Sequence, residues 1–78
     1  MRTWNYRVIR RTERGETSFA IHEVYYDDQG APRAFSERRI APVGETFDEL
    51  KGDLALMQEA FARPLLDYDD LAKQVGAQ

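Results

Sequence analysis

From Trp4 to Arg11 the chain alternates, with Trp4, Tyr6 and Val8 on one side and Asn5, Arg7, Ile9 and Arg11 on the other. A period of two predicts a strand over about residues 4–12. Glu13-Arg14-Gly15-Glu16 is polar and carries glycine where a hairpin needs positive φ, so the aromatic and β-branched run from Ser18 to Tyr26 is expected to return antiparallel as a second strand. Asp27-Asp28-Gln29-Gly30-Ala31-Pro32 is dense in residues that form Asx-turns, accept left-handed φ or stop pairing. It predicts a second hairpin and a third strand over about 33–40.

Ala41-Pro42-Val43-Gly44 breaks the alternation, and Thr46-Phe47-Asp48-Glu49 then supplies a capping box with acids in the first turn. The spacing predicts a helix over about 47–62, ended by Pro64 because the residue before proline is pushed out of the helical region. Phe47, Leu50, Leu54, Met57 and Phe61 lie three or four apart, in one stripe that is expected to cover the sheet. Leu56 falls outside that stripe, with Gly52 and Ala60 one turn to either side, a flat strip that either receives the Leu65-Leu66 segment or makes a dimer contact. The tail, 65–78, can form one more short helix, with Asp67 as its cap and Leu71 and Val75 four apart.

Centring the first hairpin near Arg14-Gly15 pairs Val8 with Ile21, Tyr6 with Glu23 and Trp4 with Tyr25. Trp4, Tyr6, Val8, Phe19, Ile21 and Tyr25 then form the face expected to meet the helix, with Glu23 at its margin beside Arg38. The expected fold is α+β: a three-stranded antiparallel meander packed on one amphipathic helix, βββα, as a single domain over 1–78. The opposite sheet face is expected to be left without a helix to cover it.

Seventy-eight residues leave little room for a buried pocket. Apolar residues at 42% and charged residues at 32%, with four Tyr, four Phe and one Trp, argue for a folded chain rather than a disordered one. The absence of cysteine excludes disulfides, thiol nucleophiles and thiolate-held metals, and fits a reducing compartment. No stretch approaches the roughly 18 apolar residues of a membrane span and the N-terminus has no apolar targeting core, so the cytoplasm is the expected location. Residues 1–40 hold eight arginines against six acids, whereas 41–78 hold three bases against eight acids. A basic sheet and an acidic helix argue against non-specific nucleic-acid binding by the whole chain and leave one basic face open to a partner.

His22 is the only histidine, so neither a two-histidine metal site nor a nucleophile–histidine pair with a spare base can be assembled. It reads as a surface strand residue or, more sharply, as a base or pH-sensitive contact. The carboxylate groups Asp27-Asp28 and Asp67, Asp69, Asp70 lack the twelve-residue calcium loop and read as turn and cap residues. Gly30 and Gly44 stand outside any phosphate-cradling pattern. No catalytic residue, metal site or cofactor is expected, and the chain is not read as an enzyme.

The uncovered face carries the candidate partner-binding residues: Arg7, Arg11, Arg33 and Arg39 interleaved with His22, Tyr26 and Phe35. Arginine stems could simply cover apolar strand surface. The same set could meet the carboxylates of a protein partner or of a second copy of the chain, or serve as a stacking platform for single-stranded RNA. The expected function is a non-catalytic protein-interaction or regulatory module, self-associating through its sheet, with RNA binding as the alternative.

Residues 18–62, in which strands run through Ala41-Pro42-Val43-Gly44-Glu45-Thr46-Phe47-Asp48-Glu49-Leu50 into an amphipathic helix, resemble HicB-like antitoxin domains. The chain as a whole is also similar to other small bacterial proteins. The resemblance to HicB-like domains implies a small basic ribonuclease as protein partner. That family often adds a DNA-binding segment at the C-terminus; here Asp67 to Gln78 is too short and too acidic for one.

Overall fold

A computed structural model describes residues 3–76. The chain is α+β, with a curled mixed sheet of four strands, in the order β3-β2-β1-β4, between two helices. Strands β1 (Trp4–Glu13) and β2 (Glu16–Tyr26) form a long hairpin in the expected register: Val8 faces Ile21, Tyr6 faces Glu23 and Trp4 faces Tyr25. The two-residue turn between them has φ of 53° at Arg14 and 80° at Gly15. Positive φ at both central positions matches the right-handed twist of the strands.

Strand β3 (Pro32–Phe35) is shorter than expected. Beyond it Ser36 N–H still donates to the Glu23 carbonyl (2.9 Å), then the chain leaves the sheet edge and rejoins it where Ile40 N–H reaches the Ile21 carbonyl (2.8 Å). The intervening Glu37-Arg38-Arg39 stands off as a bulged wall. Asp27 organises the preceding turn, its Oδ1 accepting from the N–H groups of Gln29 and Ala31 at 2.9 Å each.

Helix α1 (Phe47–Gln58) begins at the expected cap: Thr46 Oγ1 accepts from Glu49 N–H (3.1 Å), while the Glu49 carboxylate reaches back to Glu45 N–H (3.1 Å). A 3-10 turn, Glu59–Ala62, replaces the last expected turn of helix. Gly44 passes so close to the first turn that a Cβ there would run into the backbone of Glu49 and Leu50. From Pro64 the chain crosses the outer edge of β1. It makes a two-residue parallel strand there, β4 (Leu66–Asp67), facing Ile9 and Arg10, and then enters helix α2 (Tyr68–Gly76). Asp67 caps that helix, accepting from Asp70 N–H (3.3 Å), as its position in the sequence suggests.

The crossing places one helix on each face and changes two expectations. The face bearing Ile9 and Val24 is not left open. Ile9, Val24 and Leu71 are almost completely buried together, with Tyr26, Phe35, Leu66 and Tyr68 around them. Burial of each such aliphatic side chain contributes about 2 kcal/mol, enough to hold a nine-residue helix that would not be stable alone. On the other face, Tyr6, Met57 and Ala60 form the buried centre, flanked by Trp4, Val8, Ile21, Ile40 and Leu56.

Helix α1 therefore turns Leu56 and Met57 to the sheet, joined by Ala60 of the 3-10 turn, about a quarter turn from the stripe predicted by spacing. Leu56 packs inward rather than outward, and Leu66 joins the sheet rather than folding onto α1. The rotation follows from Asp53. One of its carboxylate oxygens accepts from the Tyr6 hydroxyl (2.9 Å) and the other from Val43 N–H (2.9 Å), which clamps that edge of the helix to the sheet. The small Ala60 lets the backbone lie close against the ring of Tyr6.

Candidate functional site

The seven residues expected on an open sheet face fall into three environments. Arg7 and Tyr26 belong to an internal network. The Arg7 guanidinium donates to the Tyr26 hydroxyl (3.0 Å) and to the Pro64 carbonyl (2.7 Å), and Tyr26 donates onward to Asn5 Oδ1 (2.7 Å). This network ties the crossing at Pro64 to the sheet. Arg7 Nε is buried without an acceptor among the described residues. Phe35 is also engaged, edge-on to Tyr68 at 5.4 Å. Arg33 is exposed on β3, with no ion pair or hydrogen bond among the described residues.

Arg11, His22 and Arg39 come together around a recess of about 380 Å³ on the half of the sheet face that α2 does not reach. Its floor is the distal hairpin, where Arg11 faces Ser18 and Ile9 faces Ala20; the small residues Ser18 and Ala20 keep it low. Its wall is the Glu37-Arg38-Arg39 bulge. Arg11 is held in place by Glu13 (3.1 Å) and by the ring of Tyr68, over which its guanidinium lies at 3.9 Å. Arg38 and Arg39 are exposed and have no carboxylate partner among the described residues. The Glu23 carboxylate, expected beside Arg38, instead accepts a hydrogen bond from the Tyr25 hydroxyl, which raises the pKa of that phenol.

His22 is 6% exposed, not the surface residue that its strand position suggested. Its Nδ1 lies 2.9 Å from the Ser36 carbonyl, which can only accept, so Nδ1 carries the proton. Nε2 has no hydrogen-bond partner among the described residues, and the imidazole lines the recess. No sequence pattern could have announced this pocket, because its wall is the departure of the chain from the sheet edge at Ser36.

A second surface was missed for the opposite reason: its residues were assigned to the core. Phe47 and Phe61 are 76% and 71% exposed, and Leu50 and Leu54 are 39% and 48% exposed. These four were expected to cover the sheet and instead line the solvent side of α1 and the turn after it. Lys51 borders them, its ammonium 5.8 Å from the centre of the Phe47 ring, while Met57 and Asp53 turn inward.

Among the described residues, no group of three or more His, Asp or Glu has the closeness needed to hold a metal ion. No helix among them is long and apolar enough to cross a membrane. Compared with protein-family models, curated proteins and solved structures, the chain matches none.

Proposed function

We propose that the chain is a non-catalytic protein-interaction module that self-associates, and that its contact surface is the outer stripe of α1 rather than the arginine-bearing sheet face. The observation that carries this reading is the exposure of Phe47, Leu50, Leu54 and Phe61 along one line. Together they leave on the order of 400 Å² of apolar side chain in water, the size of the largest apolar patch on a typical monomer, which is often functional. With a polar rim, such a patch can anchor an interface of roughly 800 Å² per partner.

A second copy of the chain is the occupant that fits. A two-fold contact sets the same surface against itself, and a line of four apolar side chains with Lys51 only at its Phe47 end is self-complementary. The sheet offers less for this purpose. Its β3 side is shortened and bulged, and on the β1 side the Arg7–Pro64 bond and β4 occupy the edge. The resemblance of residues 18–62 to HicB-like domains supports the same class of function, binding to protein. Single-stranded RNA is less favoured, because Tyr26 and Phe35, the intended stacking rings, are engaged inside the fold.

Light scattering across a hundredfold concentration range tests the reading. The wild type is expected to run as a dimer, and Leu54→Asp with Phe61→Asp as a monomer with an unchanged circular dichroism spectrum. A wild type that stays monomeric at the highest concentration overturns it.

A further inference from the structure

The recess beside His22 has a chemistry that neither the association surface nor the packing of the sheet uses. We propose that it binds a small phosphomonoester carrying hydroxyl groups, with Arg38 and Arg39 taking the phosphate oxygens and His22 Nε2 accepting a hydrogen bond from the phosphate P–OH. This site stands apart from self-association through α1.

Three features converge on that ligand. Arg38 and Arg39 are adjacent, exposed and unpaired, on a wall that faces the hairpin floor, whereas Arg11 is already committed to Glu13 and Tyr68. Two free guanidinium groups are suited to the oxygens of a phosphate. His22 is more than nine-tenths buried, and its Nδ1–H is committed to the Ser36 carbonyl, so Nε2 is the ring nitrogen left to accept a hydrogen bond. A carboxylate has no proton to give it at neutral pH. A phosphomonoester, whose second ionisation falls near pH 6, does: its monoanion donates P–OH to Nε2.

The volume adds the rest of the ligand. About 380 Å³ is at the small end of ligand sites and exceeds what phosphate alone fills. Ile9 and Ala20 offer an apolar floor, while Ser18 and Glu37 offer partners for hydroxyl groups. The recess carries three arginines against Glu13 and Glu37, a small positive excess that accepts an anion with a polar body better than a bare multiply charged one.

The test is an NMR titration of the folded chain with three probes: glycerol 3-phosphate, inorganic phosphate and sulfate. Glycerol 3-phosphate is expected to bind most tightly and sulfate, which has no proton to share at neutral pH, at least tenfold more weakly. Shifts should centre on the His22 imidazole and the Ser18 and Ala20 amides. Arg38→Ala with Arg39→Ala should weaken binding at least tenfold, and because both side chains are exposed and unpaired the fold should survive. Arg33→Ala, which removes an exposed arginine outside the recess, should leave binding unchanged. Equal affinity for sulfate, or shifts that survive the double substitution, would mean an adventitious ion only and overturn the proposal. The readout is a ligand and not an assembly, so failure here leaves self-association untouched.

Discussion

The Tyr6 hydroxyl donates to Asp53, and that bond joins the sheet to α1 at a buried position. Burial first, then the hydrogen bond and charge of Asp53, push the Tyr6 phenol up to about 12 from an ordinary value of 10.0. Because the folded-state pKa is raised, the stability that this group contributes is complete below about pH 10. It is lost as pH climbs through about 12, where the unfolded chain ionises first. Denaturant midpoints should therefore be flat up to about pH 10 and fall steeply above it. Asp53→Ala strips partners from both the Tyr6 hydroxyl and Val43 N–H and should cost about 2 kcal/mol in the same unfolding measurement. At this scale the sequence offers little warning. An aspartate two turns into a helix reads as a solvated residue until its register places it over a tyrosine from β1.

At the scale of elements, the two helices are secured by short polar devices that were legible and by close approaches that were not. The Thr46 cap and the Asp67 cap could both be read from residue type and spacing. Asp67 is held below the usual carboxylate range, first by the Asp70 N–H and then by Arg10. A lowered pKa means that its stabilisation is present at and above the ordinary carboxylate range and disappears as pH falls through the folded value. Protection factors of the α2 amides, taken relative to the acid-slowed intrinsic exchange, should fall on acidification and, in Asp67→Asn, should already be lower at neutral pH. Gly44 is the opposite case, a glycine whose reason is a contact. Gly44→Ala would drive a Cβ into the backbone of Glu49 and Leu50, and the loop must lift from the first turn of α1. The expected loss in a thermal or denaturant melt is about 2 kcal/mol.

At the scale of the whole molecule, the two proposed surfaces make different demands on salt. Apolar association through Phe47, Leu50, Leu54 and Phe61 should hold or strengthen between low and high ionic strength, since no charge pair is being screened. Assembly through Arg33, Arg38 and Arg39 against the acidic helices would weaken over the same range, and sedimentation at two salt concentrations separates the two. The +2 and −5 halves of the chain favour the second kind of contact when read from the sequence alone. The fold satisfies one such contact within a single chain, by directing Arg10 to Asp67.

Local pattern determined much of this protein. The period-two alternation, the Arg14-Gly15 turn and the distribution of large residues placed the β1–β2 register correctly, because a slip of one residue would move every side chain to the wrong face. Caps placed the starts of both helices for an equally local reason: the bonds that make a cap span three residues. What only the tertiary structure decided was which way α1 faces and what covers the far side of the sheet. Five large apolar residues in a stripe outvote Asp53 and Ala60 in any count along the sequence. In the fold, two hydrogen bonds to Asp53 and the fit of Ala60 against Tyr6 outweigh them. The crossing at Pro64 likewise depends on Arg7, 57 positions away in the chain. The His22 recess exists only because Glu37-Arg38-Arg39 leaves the β2 edge and α2 stops short of the distal hairpin. Contacts between residues distant in sequence leave no periodic trace, so both candidate surfaces became visible only when the chain was folded.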